Sequence, residues 1–349
     1  MNSLEEHAEK LNCNDEAERT YAAEDIGYLN SADAVPPLLE RLGKEPSRAV
    51  REAIFQALTR IDAEAAIEAC VRLLESDDPQ IRNQAVDVLR RKGAQSIPFL
   101  KITMRDGDKD LRKLVLDVLS EVHAGDSEAI YEAALADQDQ NVVITAVENL
   151  GRMRATAFRS RIEHLLEGEC HPMLAGACLE ALVSIGNANS LAAIHRRFPD
   201  LATLPEFFLV PCLRAIGALG SAPELVGLAA LLARHNSHLR PAILDALIAI
   251  HQRQPEEAYG ESLVPALEAV IEDGDPPLCR YRAVRALGLL SSRDDVYFFL
   301  VSCLSSSERL VRLAAAETLR LTDRSGLGPI LSARALEESD EEVLQALSC

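Results

Sequence analysis

Cysteine and histidine are the side chains best suited to chemistry in this 349-residue sequence, and they are concentrated in its middle. Six of the eight histidines lie between residues 164 and 251, together with Cys170, Cys178 and Cys212. Thiolate and imidazole groups are the ligands that zinc and iron–sulfur clusters prefer. Cys170 and His171 adjoin in one predicted loop and are the only weak candidates for metal ligands, so we expect no bound metal or other cofactor.

Motifs for other chemistry are missing from the sequence. It contains no nucleophile elbow, no P-loop and no glycine-rich dinucleotide loop. We therefore name no catalytic residues and expect a non-enzymatic role. The eight cysteines form no C-x-x-C pair and the first residues do not resemble a signal peptide, so we expect reduced thiols in the cytoplasm.

Composition limits the class of protein and of partner. Hydrophobic residues make up 48% of the chain but aromatic residues only 4%, with no tryptophan, which favours packed helices. The net charge is −19, from 36 basic and 55 acidic residues. The negative electrostatic potential of such a protein repels phosphate backbones and anionic lipid, so we expect no nucleic-acid binding. No apolar stretch is long enough for membrane insertion.

A repeating pattern of residue types, which we call the frame, recurs every 30–34 residues, with one spacing of 40. It is aligned on one position that we call the slot. Apolar or small residues at −1, +3, +4 and +7 relative to the slot predict a helix, called B, and a first helix, A, precedes it. An Asp, Ser or Asn four residues before the slot predicts the N-cap of helix B. The slots are Arg19, Arg51, Arg82, Arg112, Val143, Ala175, Leu209, Arg240, Arg280 and Arg312.

The pattern Asp-x-x-(Val/Ile/Leu)-Arg-x-x-Ala-x-x-x-Leu resembles the HEAT repeat. The short units, and the segment Tyr21-Ala-Ala-x-x-Ile-Gly27, resemble its phycobilin-lyase-type branch. The resemblance implies an all-α, right-handed α-solenoid of about ten hairpins, formed by residues 1–349 as a single array. It also implies a structural ladder of stacked Asp and Arg side chains at repeat boundaries, with Asp15, Asp78 and Asp108 beside the arginines of their own helices. The ladder residues are Asp15, Arg19, Arg51, Asp78, Arg82, Asp108, Arg112, Arg240, Arg280 and Arg312.

The frame is irregular in two places. Near residues 197–210 the ladder residues are lost, and at residues 251–261 the spacing stretches to 40. Because a solenoid bends where the interface between neighbouring repeats changes, we expect a change of curvature at the first place. At the second we expect an exposed insertion.

Acidic residues dominate position +5 of helix B, which points away from the buried positions. The HEAT resemblance places helix B on a concave face, so these carboxylates would form an acidic stripe for a protein with a basic surface. The alternative is a solvated face balanced by pairs such as Asp87 with Arg91 and Glu148 with Arg152. The stripe consists of Glu24, Asp87, Asp117, Glu148, Glu180, Asp245 and Glu317.

Three functions remain open. The first is a scaffold or adaptor that binds another protein. The second, implied by the resemblance, is a phycobilin-lyase-like protein that attaches a bilin to phycobiliproteins or detaches it, and this is the activity we expect if the protein is an enzyme. The third is a carrier or regulator of iron–sulfur assembly. The repeat frame limits this third hypothesis, because Cys170 and His235 lie two repeats apart, about 16–20 Å at ordinary helix spacings.

Overall fold

The computed structural model describes residues 3–122, 127–234, 238–253, 263–272, 275–290, 292–322 and 326–348. In these ranges the regular structure is helical, with twenty-two α-helices that follow one another as eleven A–B pairs. The prediction of an all-α solenoid is confirmed. The eleventh pair lies beyond the ten predicted, and Leu344 occupies its slot position.

Residues 1–153 form one compact unit, unit 1, with five hairpins. Its helices are α1 (Ser3–Lys10), α2 (Glu16–Tyr28), α3 (Val35–Leu42), α4 (Arg48–Arg60), α5 (Glu64–Leu73), α6 (Pro79–Lys92), α7 (Ile97–Asp106), α8 (Lys109–Leu119), α9 (Glu128–Leu135) and α10 (Gln140–Arg152).

Residues 154–349 form the second compact unit, unit 2, whose described helices make six hairpins. They are α11 (Arg159–Glu167), α12 (Pro172–Ile185), α13 (Ala188–Arg197), α14 (Glu206–Leu219), α15 (Ala222–Arg234), α16 (Arg240–Arg253), α17 (Leu263–Glu272), α18 (Pro277–Gly288), α19 (Asp294–Cys303), α20 (Arg309–Arg320), α21 (Leu327–Ala335) and α22 (Glu341–Ser348).

The B helices begin where the caps were predicted. The Asp15 carboxylate accepts the Glu18 N–H at 3.0 Å, and the Asp78 carboxylate accepts the Gln80 N–H at 2.8 Å. Asp108 likewise accepts two N–H groups of α8 at 2.9 Å. Since the first N–H groups of a helix have no partner inside it, these side chains set the start of each B helix.

Neighbouring B helices of a unit pack closely, and small residues allow the approach. Gly27 in α2 lies against Ala57 in α4, where an added Cβ would come within 2.7 Å of the Ala57 Cα. Gly217 in α14 faces Ala246 in α16 in the same way, at 3.0 Å. The glycine that recurs eight residues after the slot therefore serves contact between repeats.

The predicted irregularities can be located in part. Residues 198–205 connect α13 to α14, and Pro211 lies inside α14. Residues 251–253 end α16, and the rest of the predicted insertion, 254–261, lies outside the described residues. The change of curvature, the exposed insertion and the single solenoid over residues 1–349 stay predictions.

Candidate protein-binding surface

Three slot arginines bind a carboxylate of the following hairpin through two parallel hydrogen bonds. Arg19 donates from Nε and Nη2 to Glu45 at 3.0 and 3.1 Å. Arg112 makes the same two bonds to Asp137 at 2.6 and 2.8 Å, and Arg312 to Glu338 at 2.7 and 3.0 Å. We call this arrangement a complete rung. Its planar, bidentate geometry is the strongest that an arginine–carboxylate pair offers.

The acceptor of a complete rung occupies one position of the repeat, two residues before the N-cap of the next B helix. Its carboxylate also accepts a backbone N–H at that cap, as Glu45 does from Ser47 at 2.8 Å and Asp137 from Asp139 at 2.8 Å. One side chain thus joins two hairpins and shapes the loop between its own A and B helices. Our sequence analysis missed this position, although an acidic residue six places before the slot was the available signal.

The other ladder arginines vary in their partners. Arg51 binds Asp78 at 2.9 Å, and Arg240 pairs with the buried carboxylate of Asp275. Arg82 donates to the Ser76 carbonyl of its own loop at 2.6 Å. The Nε of Arg280 is buried and has no hydrogen-bond partner among the described residues.

The expected partnerships within a repeat therefore differ from those observed. Asp15 and Asp108 cap their helices, while the arginines beside them bind Glu45 and Asp137. Asp78 caps α6 and receives the arginine of the preceding hairpin. The Asp side chain of each repeat thus serves as the cap of its own B helix, and the slot arginine one turn on reaches to the following hairpin.

Two of the rung carboxylates, Glu45 and Glu338, have pKa values far below the ordinary range. Burial alone would raise the pKa of Glu45, but hydrogen bonds from Arg19, Arg41 and the Ser47 N–H outweigh it and lower the pKa to about 2. The hydrogen bonds from Arg312 lower the pKa of Glu338 to about 2 as well. These charges are used within the fold and are not available to a partner.

In unit 1 most of the stripe carboxylates make no ion pair among the described residues; the exception is Asp87. Asp87, Asp117 and Glu148 are exposed, and Glu24 is half-buried. The Asp87 carboxylate lies 3.5 Å from Arg90 Nη1. Arg90 also donates to the Asp117 backbone carbonyl at 2.9 Å and not to its carboxylate. Crowding by surrounding protein atoms raises the pKa of the Asp117 carboxyl, although its surface remains open.

In unit 2 the same position is balanced by arginines from a neighbouring B helix. Glu180 pairs with Arg214. Asp245 lies 3.4 Å from Arg282, and Glu317 lies 3.4 Å from Arg285. These pairs run between helices and are not the within-helix pairs of the alternative interpretation. Among the described residues, the stripe carboxylates that make no ion pair are therefore all in unit 1: Glu24, Asp117 and Glu148.

A groove of about 740 Å³ opens beside this part of the stripe, between the third and fourth hairpins. Leu74, Leu111 and Leu114 line it, with Arg82 and Lys113 as its basic residues. Its surface can hold an aliphatic stem and offer oxygen acceptors to a guanidinium or ammonium group. The carboxylates that line it are Glu75, Asp77, Asp106, Asp108, Asp110 and Asp117.

The metal-ligand candidates occupy structural roles. His171 caps α12, where its Nδ1 accepts the Met173 N–H at 3.2 Å. Burial raises the pKa of the half-buried Cys170 thiol, which disfavours the thiolate that binds metal. Among the described residues no group of three or more His, Cys, Asp and Glu side chains is placed to hold an ion. His235 lies outside the described residues.

Comparison with known proteins identifies the class. A family model of HEAT repeats matches residues 4–90 and 264–348, the two ends of the chain. These two segments are HEAT repeats, and the described helices have an α-solenoid fold that resembles the phycobilin-lyase type of HEAT-repeat protein. In the parts of the chain that the model describes, none of the helices has the length and apolar character needed to cross a bilayer.

Individual relatives are more distant or partial. The bilin biosynthesis protein PecE of Mastigocladus laminosus is 37% identical over 71 residues, 20% of this chain and 26% of PecE. The structure of Kap121p superposes with a TM-score of 0.64 at 14% identity, over 99% of this chain and 44% of Kap121p. Kap121p bound to Ste12p gives a TM-score of 0.63 at 14% identity, with the same coverage. The chain thus spans less than half of either relative, and the structural likeness shows the fold alone.

Proposed function

We propose that this protein is a scaffold or adaptor that binds a basic segment of another protein on the B-helix face of unit 1. The observation that carries the proposal is the uneven balance of the acidic stripe: among the described residues, Glu24, Asp117 and Glu148 of unit 1 make no ion pair, whereas Glu180, Asp245 and Glu317 of unit 2 pair with arginines. Asp117 also lines the groove of the third and fourth hairpins, whose lining has six carboxylates and two basic side chains. Negative potential over a partly apolar groove suits lysine- or arginine-rich segments.

Two further facts support a protein partner. Kap121p, whose fold this chain shares at low identity, has been solved in complexes with the proteins Ste12p and Pho4p. The groove also has an apolar floor of leucines, which a peptide can cover and a mobile counterion cannot. We further propose a reducing, cytoplasmic location, supported by the seven described cysteines, all of which are free.

The test compares two sets of substitutions of equal charge. The stripe variant is Asp87→Asn with Asp117→Asn and Glu148→Gln; the control is Glu9→Gln with Glu64→Gln and Glu68→Gln, on exposed faces of A helices. The partner is first recovered by crosslinking and pull-down from native cells. Its association rate is then measured at low and high salt.

The stripe variant should slow association at low salt and have little effect at high salt, since attraction is screened over about 8 Å at physiological ionic strength. The control should leave the rate near that of the unchanged protein. Equal slowing by both variants would mean that net charge alone attracts the partner. No slowing by either would exclude the unit 1 surface as the docking site.

A second candidate function rests on the match to PecE. We propose as the alternative that the solenoid handles a phycobilin, attaching it to or detaching it from a phycobiliprotein subunit. Mixing the purified protein with a phycobilin and its acceptor subunit tests this by absorption spectroscopy. A spectrum that stays unshifted counts against the alternative and leaves the protein-binding proposal standing. The iron–sulfur hypothesis gains no support from the arrangement of Cys170 and His171.

A further inference from the structure

The rung at Arg280 in α18 lacks its acceptor. The buried Nε of Arg280 has no hydrogen-bond partner among the described residues. In the three complete rungs, at Arg19, Arg112 and Arg312, that same nitrogen donates to a carboxylate of the following hairpin. A buried, unpaired guanidinium N–H is costly, and an anion placed opposite it would remove the cost.

The residue at the acceptor position is Ser306. It lies two residues before Glu308, the N-cap of α20, as Glu45 lies two residues before Ser47. Its hydroxyl accepts the Glu308 N–H at 3.2 Å, just as the Glu45 carboxylate accepts the Ser47 N–H. Ser306 thus stands in the place of a rung carboxylate, but its side chain is neutral and two bonds shorter.

We propose that Ser306 is a phosphorylation site and that the phosphate completes the rung with Arg280. A phosphoserine oxygen lies as many bonds from Cβ as a glutamate carboxylate oxygen, and it carries more negative charge. Two of its oxygens can accept the Nε and Nη2 donors in the bidentate geometry of the other rungs.

The surroundings suit the modification. Ser305 and Ser307 beside the site are exposed, so a kinase can reach the loop. Arg312 of α20 donates to the Ser306 and Ser307 carbonyls at 2.9 and 3.2 Å and holds the loop in place. The N–H groups at the start of α20 add a positive potential near the phosphate, which the carboxylate of the N-cap residue Glu308 partly offsets.

The reaction is that of a serine protein kinase. The terminal phosphoryl group of a nucleoside triphosphate passes to the Ser306 Oγ, and the bond to the departing nucleoside diphosphate breaks. The hydroxyl proton passes to the base of the kinase. The product is a rung that is complete only in the modified protein, so the contact between the ninth and tenth hairpins becomes adjustable.

The first test is mass spectrometry of the protein purified from its own cells, both growing and starved. Trypsin releases residues 294–309, and fragmentation separates Ser305, Ser306 and Ser307. Phosphate on Ser306 supports the proposal. If Ser306 carries no phosphate in either sample, including the case in which only Ser305 or Ser307 is modified, the proposal is overturned.

The second test measures what the phosphate does. Phosphoserine is introduced in the full chain at position 306, with positions 305 and 307 as matched controls, and urea unfolding is followed by circular dichroism. Phosphoserine at position 306, but not at 305 or 307, should raise the folding equilibrium constant roughly tenfold over that of the unmodified protein, because it forms charge-assisted hydrogen bonds. The gain should disappear when Arg280→Gln is combined with it.

An equal gain at all three positions, or one that survives Arg280→Gln, would overturn the proposal, because general attraction to the start of α20 would then explain it. Inorganic phosphate added to the unmodified protein is the remaining arm. Stabilisation by it that depends on Arg280 would assign the site to a free anion instead of phosphoserine.

Discussion

Glu45→Gln tests whether the rungs hold the solenoid together. The Glu45 side chain is fully buried and accepts hydrogen bonds from Arg19, Arg41 and the Ser47 N–H. The amide keeps the shape but removes the charge, so two guanidinium groups lose their counterion. A fall in pKa from 4.5 to about 2 corresponds to about 3 kcal/mol, since one pKa unit is about 1.36 kcal/mol. We expect that loss of stability at pH 7.

The pH dependence makes the prediction specific. Because the pKa of Glu45 in the folded protein lies below its ordinary value, its stabilisation is fully present above about pH 4.5. It is lost as the pH falls through about 2. Urea unfolding of the original protein and the Glu45→Gln variant, at pH values from 7 down to 2, should give curves that converge in acid.

Glu40→Gln is the control, because Glu40 lies in α3, the helix that ends just before the Glu45 loop. Glu40 is exposed and pairs with Lys44 at 2.8 Å, a surface pair of little expected weight. The Glu40→Gln variant should have the same free energy of unfolding as the original protein at every pH. A Glu45→Gln loss that stays constant down to pH 2, or one no larger than that of Glu40→Gln, would refute the assignment of the effect to the ionised rung.

Two further stability predictions follow from contacts between repeats, and both are measured by urea unfolding. Gly27→Ala should destabilise by about 1–3 kcal/mol, because the new methyl group meets the backbone of Ala57, whereas Gly176→Ala, with open space around it, should stabilise its helix by up to about 1 kcal/mol. Equal effects of the two substitutions on stability would mean that α2 and α4 can move apart to accommodate the added methyl group. Arg82→Ala should cost about 1 kcal/mol, since it removes one bond to a carbonyl, and less than Arg112→Ala, which breaks a complete rung. The reverse order would show that rung geometry does not set the cost.

The hairpins and their caps could be predicted from sequence because each repeat encodes them locally. An N-cap residue at −4, an apolar pattern with helical period and a glycine at +8 all lie within one B helix, so propensity and periodicity are enough. The slot arginine was visible for the same reason. Its partner was not, because Glu45 or Asp137 lies 25–26 residues further on, in a loop whose geometry depends on the next hairpin.

The balance of the stripe was equally hidden from the sequence. Glu148 and Glu180 occupy the same repeat position and look alike as text, yet Glu180 meets Arg214 from a neighbouring helix. The within-helix pairing of Glu148 with Arg152 was a reasonable prediction, but Arg152 donates to Asn149 instead, at 2.9 Å. Contacts across helices decide which charges remain free, and single-sequence patterns do not report them.

The rungs also separate structural charge from charge that a partner can use. Where the slot is Ala175 or Leu209, the position is fully buried and apolar, so the array can replace an ion pair by hydrophobic contact. That exchange is often neutral in energy, because burying a paired charge carries a large desolvation cost. The slot is therefore free to lose its arginine without loss of the fold, and its presence says little about function. Stripe carboxylates that make no ion pair have no such role in the fold, and among the described residues they lie in unit 1, at Glu24, Asp117 and Glu148. Selection for a partner would act on those residues.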